Sequence, residues 1–532
     1  MLKSLRRRFR ERISSRQKGI PAPENASRQE FYYKLELNLQ IFQELLENCV
    51  DVKYRYFQLG TQPSKAACVI YLDNMIDKKT LEDNVLAPLT GIKTVTIGRE
   101  PDLLNSVEQQ LVETVGVKTV TMLDEAMAVL LDGHGILLID GINKVLGLSI
   151  KRLEIRSIEE AASETAVRGP RDAFVELFGI NITLLRRRLK THQLKMEKLQ
   201  LGKLSKTDVV ITYISGIADP EIVEEVKNRI SKIEIDGVLE SNYIAEFIED
   251  SPWSPFPQIN ATERPDRVAA GLLEGQVAVL VDNTPFALLM PMTFPQFLHT
   301  AEDYYERSIY TSFTRLIRFI AVNIALLLPA SYIAVVTFHQ ELLPTSLLIS
   351  IAAGRERVPF PAFVEAILME GTFEILREAG VRLPRPVGQA TSIVGALVIG
   401  NAAVTAGLVS PLMVIVVSVT ALASFIIPTT SGSFAIRLLR FPIMFCATAL
   451  GFFGVMAALM VILIHLCSLR SFGVPYLAPI APLHLSGWKD IYLRVPWWMM
   501  LTRPRYFGIQ DRKRQPLGQK PVPPRKGDEN GP

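Results

Sequence analysis

FIAVNIALLLPASYIAVVTF, residues 319–338, decides how this chain is read. It is an uncharged apolar run of about 20 residues, the length an α-helix needs to cross the hydrocarbon core of a bilayer. Three further runs follow: GQATSIVGALVIGNAAVTAGLV (388–409), PLMVIVVSVTALASFIIP (411–428) and FPIMFCATALGFFGVMAALMVILIHL (441–466). Four membrane spans are expected. LLPTSLLISIAA (342–353) is too short to span and is expected to be re-entrant or interfacial. The long apolar runs all lie after Phe313, so the second half of the chain carries the positive mean hydropathy.

Upstream of that run the pattern changes to strands alternating with helices. RQEFYYKLELNLQIFQELLENC (28–49) places Phe31, Leu35, Leu37, Leu39, Phe42 and Leu45 at helical spacing. CVIYLD (68–73) and DVVITYISG (208–216) read as buried strands, and PEIVEEVKNRISKI (220–233) as a helix. ILLIDGINKVLGLSI (136–150) and VAVLVDNTPFALLM (277–290) read as hairpins turning at Asp140-Gly141 and Asp282-Asn283. The fold class expected is an α/β soluble N-terminal region of two subdomains (31–135 and 136–310), then an all-α polytopic membrane domain (311–505). Basic extensions flank them, at 1–30 and, rich in proline, at 506–532.

Charge placement sets an expected orientation. Residues 1–17, MLKSLRRRFRERISSRQ, are not followed by the apolar core of a secretory signal, so the N-terminal region is expected in the cytosol. Its arginines suit anionic lipid. No nucleic-acid recognition fold follows them, and no nucleic-acid partner is expected. The tail after Leu501 holds Arg503, Arg505, Arg512, Lys513, Arg514, Lys520, Arg525 and Lys526, and Arg315 and Arg318 precede the first span. Both ends are then cytosolic, which demands an even number of spans. Four spans leave Arg437 and Arg440 on the outer side, against the same rule.

No catalytic constellation is found. There is no phosphate loop, no dinucleotide fingerprint and no nucleophile elbow around Ser431-Gly432-Ser433. The six histidines make no HxxxH or HExxH pair, and Cys49, Cys68, Cys446 and Cys467 make no CxxC pair, so no metal, cofactor or disulfide is expected. Arg168 and Arg171 in RGPRDAFVE (168–176) and Arg186, Arg187 and Arg188 in LLRRRL (184–189) suit structure or assembly rather than catalysis, the Arg186–Arg188 run reading equally as an exposed charged helix.

Two features point to ion handling. Glu370 and Glu374, with Arg377 or Glu378, share a helical face. They read either as an acidic vestibule that concentrates cations or as the solvated side of an amphipathic helix. In 388–409, Thr391, Val394, Val398, Asn401 and Thr405 form one stripe, and Ser392, Ala396 and Gly400 another. The second is a small-residue surface for close helix packing. The first reads as pore lining with a valine gate, or as polar groups bonded to a neighbouring helix.

The chain closely resembles the A subunits of GerA-type spore germination receptors over roughly residues 30–500. The likeness lies in RGPRDAFVE (168–176), NITLLRRRLK (181–190), TDVVITYISGIAD (207–219), TERPD (262–266), LLEGQVAVLVDNTPFALLMP (272–291) and EDYYERS (302–308). It continues through VPFPAFVEAILMEGTFEILREAGVRLPRP (358–386), SIVGALVIGNAAVTAGLVSP (392–411) and GVPYLAPIAP (473–482). The resemblance implies a two-subdomain α/β soluble part and residence in the inner membrane of bacterial endospores. It implies a transporter-like B subunit and a lipoprotein C subunit as partners. It further implies a homo-oligomer of A subunits forming a nutrient-gated cation channel that triggers germination. A transporter-type or scaffold subunit without its own pore is the competing reading. The family blocks carry no catalytic set, so no active-site residue transfers.

Overall fold

The computed structural model describes residues 29–60, 64–91, 104, 107, 108, 111, 115–152, 160, 161, 163–382, 400–484 and 487–521. The chain divides into two compact units. One comprises Met1–Ser157 with Ile182–Glu197, the other Ile158–Asn181 with Lys198–Pro532.

The first unit is built on a five-stranded sheet. In chain order it contains α1 (Leu35–Leu45), β1 (Val52–Leu59), β2 (Lys65–Leu72), a helical stretch over 78–90, β3 (Val117–Val120), α2 (Leu123–Leu131), β4 (Gly135–Ile139) and β5 (Val145–Leu148). The strand order is β1-β2-β4-β5-β3, so β4 is central, and its five residues are all buried. Alternate residues point to opposite faces, and the core divides accordingly. Cys68, Ile70, Leu72, Ile136 and Leu138 pack with α1 and α2 through Phe42, Leu39, Leu123 and Leu130. Val69, Leu137, Ile139, Leu146 and Leu148 pack on the other face with Leu81, Val85 and Leu89. A strand covered on both faces must be apolar throughout, which is why GILLI reads as a continuous run. The expected boundary at 135/136 falls at the head of β4, inside this sheet. A hairpin read alone does not reveal which strands it will join.

Helix α3 (Phe178–Arg188) gives the first unit its C-terminal half, from Ile182. There Arg186 is fully buried and bidentate on Asp51, Nε to Oδ2 at 2.7 Å and Nη2 to Oδ1 at 3.0 Å. It is thus a structural ion pair, as its residue type suggested.

The soluble part of the second unit contains β6 (Leu194–Leu201) from Lys198 on, β7 (Thr207–Ile214), α4 (Pro220–Ser231), α5 (Ser241–Ile248), β8 (Asn260–Thr262), α6 (Pro265–Leu273), β9 (Val277–Val281) and β10 (Ala287–Met290). Its order, β6-β7-β9-β10-β8, repeats that of the first sheet. The repeat has a nearly fixed offset of 142 positions: 52 maps to 194, 65 to 207, 123 to 265 and 135 to 277. Local devices repeat with it. The Asn38 side chain bonds both backbone groups of Tyr32, at 2.8 and 2.7 Å, and Asn181 does the same to Val175, at 2.8 and 2.6 Å. Asp140 Oδ1 accepts the N–H of Leu35 at the start of α1 (3.1 Å), and Asp282 Oδ1 accepts that of Phe178 at the start of α3 (3.3 Å). The hairpin turns need left-handed residues, supplied by Gly141 (φ 82°) and Asn283 (φ 68°).

The helical half follows: α7 (Ser308–Thr337), α8 (Thr345–Arg355), α9 (Ala362–Arg382), α10 (Gly400–Thr405), α11 (Pro411–Phe425) and α12 (Thr430–Ser468). Among the described residues two helices, α7 and α12, are long and apolar enough to cross a membrane. This differs from the four spans expected. The run 411–428 yields a helix of 15 residues, ended by the turn into Thr429. Most of the run 388–409 lies outside the described residues. The run 342–353 falls on the short helix α8.

Helix α12 is not one rod. At about 1.5 Å per residue a straight helix of its length would reach nearly 60 Å. Gly451 breaks it with φ 60° and ψ −141°. Ala435 and Leu466 share one buried cluster, against which Leu439 and Ile462 pack. Both ends meet the second soluble subdomain: Thr429 Oγ1 donates to the Phe297 carbonyl, and Ser254 Oγ lies 2.9 Å from His465 Nε2. The helix therefore folds back on itself, with Gly451 at the bend beside Phe338 and His339 at the end of α7.

The segment after α12 returns to the soluble subdomain. Arg503 Nε donates to the Leu273 carbonyl at 2.9 Å, Arg514 pairs with Glu274, and the Gln510 N–H donates to the Ile217 carbonyl. Ile509 is buried against Gly275. The basic tail therefore begins as a docked segment.

Candidate functional site

Charge sits where the helices are otherwise apolar. Pro329 lies inside α7 and has no N–H, so the carbonyl four residues earlier, that of Ala325, loses its helical donor. Arg440 of α12 supplies the replacement, Nε to the Ala325 oxygen at 2.8 Å. The same guanidinium pairs with Glu370 of α9, both side chains being 1% exposed. One turn along, Arg437 Nε meets Glu374 Oε1 at 2.8 Å. The pairing runs up one helix and down the other (370 with 440, 374 with 437). The start of α12 therefore lies antiparallel to α9.

Two more groups extend the row. Glu365, fully buried, accepts the Ser410 N–H at 2.9 Å at the head of α11 and meets Arg355 of α8 at 3.2 Å. Arg377 donates to Ser424 Oγ at 2.7 Å and stacks on Phe425 and Phe373, 4.3 and 5.2 Å from their ring centres. Charges in such surroundings persist when paired and hydrogen-bonded, and their removal one at a time is costly.

A second hub lies where α7 begins. Asp303 accepts from Arg315 Nε (2.9 Å) and Arg318 Nη1 (2.8 Å), and Arg315 also reaches Asp490 (2.8 Å). Burial pushes the Asp303 carboxyl upward, but Arg315 and Arg318 outweigh it and hold it below the usual carboxylate range. The hub ties the head of the first long helix to the segment that follows the last.

Of the residues expected to line a pore, Thr391, Val394 and Val398 lie outside the described residues, as do Ser392 and Ala396 of the packing stripe. Gly400 is buried, facing Val414 of α11. Asn401 and Thr405 are exposed one turn apart, and the Thr405 hydroxyl donates to the Asn401 carbonyl at 2.8 Å. Glu370 and Glu374 do share a face, but each is matched by an arginine, so they are not the free carboxylates an acidic vestibule needs. The sequence analysis named Arg377, Arg437 and Arg440 without finding their partners Ser424, Glu374 and Glu370, and it gave Pro329 no role. One signal was present: glutamates four apart and arginines three apart are both single-face spacings, and so can meet across two helices.

With the geometry in place, comparison with known proteins gives the class. The chain belongs to the Bacillus/Clostridium GerA spore germination protein family, whose model matches residues 40–506. Among its relatives, spore germination protein KA of Bacillus subtilis (strain 168) is 43% identical over 491 residues, 90% of each chain. An uncharacterized membrane protein, YfkQ, of the same organism is 46% identical over 88% of this chain and 90% of its own. Spore germination protein GerLA of Bacillus cereus is 38% identical over 88% and 95%. A crystal structure of the N-terminal domain of the A subunit of the Bacillus megaterium spore germinant receptor GerK3 is 33% identical. It covers 50% of this chain and 98% of that one, with a TM-score of 0.40. The resemblance carried by the sequence blocks is thereby established.

Proposed function

We propose that this chain is the A-type subunit of a nutrient-responsive spore germination receptor in the spore inner membrane. In this reading it acts with a transporter-like B subunit and a lipoprotein C subunit. Copies of it assemble around an axis and conduct cations when nutrient is sensed. The observation that carries the reading is the Glu370–Arg440 pair seated on the proline-freed carbonyl of α7. Charged pairs within apolar helices are expensive, and where they occur they mark conduction or switching. It supports a role for Glu370 and Glu374 as one side of a latch rather than as an open acidic vestibule.

The soluble region and the tail are assigned to the cytosol. The docking of Arg503 and Arg514 at the end of α6 supports this, since a tail bonded to the second subdomain agrees with both lying on one side and with an even number of crossings. The lining is assigned to 388–409, with Thr391, Val394, Val398, Asn401 and Thr405 toward the path and Ser392, Ala396 and Gly400 toward neighbouring helices. Rings of Val394 and Val398 would exclude water and hold the path shut.

Liposomes carrying the purified A, B and C subunits test the proposal. Nutrient should release a trapped cation, and Val398→Ser should leak without nutrient. A Val398→Ser receptor at normal abundance with no rise in resting leak defeats the gate. No nutrient-dependent flux from the complete receptor defeats the channel.

A further inference from the structure

Within the second unit, a cavity of about 500 Å³ lies between the soluble subdomain and the helices. Its wall holds four arginines. Arg264 pairs with Asp266 (2.7 Å), Arg267 with Glu164 (3.2 Å) and Arg437 with Glu374. Arg377 pairs with no carboxylate among the described residues. One of its nitrogens bonds Ser424, and its Nε is buried without a hydrogen-bond partner. Its stacking on Phe425 and Phe373 fixes the guanidinium plane. Glu302, the remaining acid of the wall, is engaged by the N–H groups of Val167 and Arg168.

A guanidinium with a buried, unpartnered N–H favours an anion, and its flat fork matches the oxygens of a phosphate. The wall adds hydroxyl groups at Thr430 and Ser433. It also takes in the start of α12, whose first turn carries no acid and whose cap residue Thr429 makes no side-chain cap bond. Phe425 and Phe434, which line the cavity, and Leu438, one turn after Phe434, are more than half exposed and form an apolar margin.

We propose that this cavity binds a phosphate group through Arg377, with the Thr430 hydroxyl as a further donor. The apolar margin fits the acyl chains of an anionic phospholipid, which makes a headgroup phosphate the favoured source over free phosphate. The assignment stands apart from the pore reading.

The test uses the full chain in neutral detergent, titrated separately with phosphatidylglycerol, with diacylglycerol and with inorganic phosphate. Phosphatidylglycerol should bind and diacylglycerol should not. Arg377→Gln should weaken binding about tenfold or more, the loss of one charge-assisted contact, with Arg377→Lys retaining part of it. Thr430→Asp guards against misfolding as the cause. An acid in the first turn of a helix favours the fold, yet here it would repel the phosphate. Binding of the lipid alone assigns the site to a headgroup. Equally tight inorganic phosphate assigns it to the free anion, and both outcomes support a phosphate site. Absence of binding by either, or undiminished binding in both Arg377→Gln and Thr430→Asp, overturns it.

Discussion

Replacing Arg440 by methionine keeps a long flexible side chain and removes the guanidinium. Glu370, 1% exposed, then loses its partner, and the Ala325 carbonyl loses its donor. Removing one member of a buried pair costs about 3–5 kcal/mol. The orphaned carbonyl accounts for about 1–3 kcal/mol of that. At about 2–4 °C per kcal/mol for a region of this size, the thermal midpoint of the helical half in detergent should fall by about 6–20 °C. The structure also names a partial remedy. Pro329→Ala restores an N–H four residues after Ala325, so it should recover about 1–3 kcal/mol in the Arg440→Met background and much less in the wild type. The four proteins form a double-mutant cycle. A midpoint of Arg440→Met within 2 °C of wild type, or an equal effect of Pro329→Ala in both backgrounds, would refute the argument.

Three other outcomes are expected. Asn38→Ala and Asn181→Ala each remove two hydrogen bonds of a buried side chain, and each should cost about 2 kcal/mol; a marked inequality between them in thermal unfolding would show that the two clamps are not equivalent. Because the Asp303 carboxyl is held below its ordinary range, its contribution is present above the unfolded carboxylate pKa and is lost as pH falls through the lower folded-state value. The midpoint should therefore drop below about pH 4, and Asp303→Asn should lower the midpoint at pH 7 while flattening that drop. In a background without the native cysteines, Leu450→Cys, beside the bend of α12, should be labelled from the side opposite Leu517→Cys in the tail; labelling of both from one side would contradict the topology.

The soluble region was legible because its strands are covered on both faces. GILLI and VAVLV are apolar without a break, and Asp-Gly and Asp-Asn mark the turns that need left-handed backbone. The repeat was not legible, since its identities are scattered: Gln58-Leu59-Gly60 with Gln200-Leu201-Gly202, Leu130-Leu131 with Leu272-Leu273, Gly133 with Gly275 and Asp140 with Asp282. What they share is chiefly hydrogen-bond geometry. The helical half misled for a physical reason. Counting arginines to orient a chain assumes that they face water. Arg437 and Arg440 instead face glutamates more than sixty residues earlier, and a pairing at that range leaves no local trace. The conflict they raised with the orientation rule was the visible sign of it. The run 441–466 hid the bend at Gly451 because hydropathy does not register a backbone dihedral.

Two copies of one fold at a fixed period need not carry equal duties. In each copy the closing hairpin hands the chain to whatever comes next. After β5 that is the second copy, and after β10 it is the first long helix. The second copy holds Phe256 and Phe297 against the ends of α12, and Gly275 beneath the tail at Ile509. Its counterpart in the first copy, Gly133, is covered instead by Met75 and Lys151 of its own unit. The second copy is therefore a fixed foundation, whose surface cannot change without disturbing the helices above it. The first copy keeps the same frame, and its corresponding glycine is closed from within its own unit.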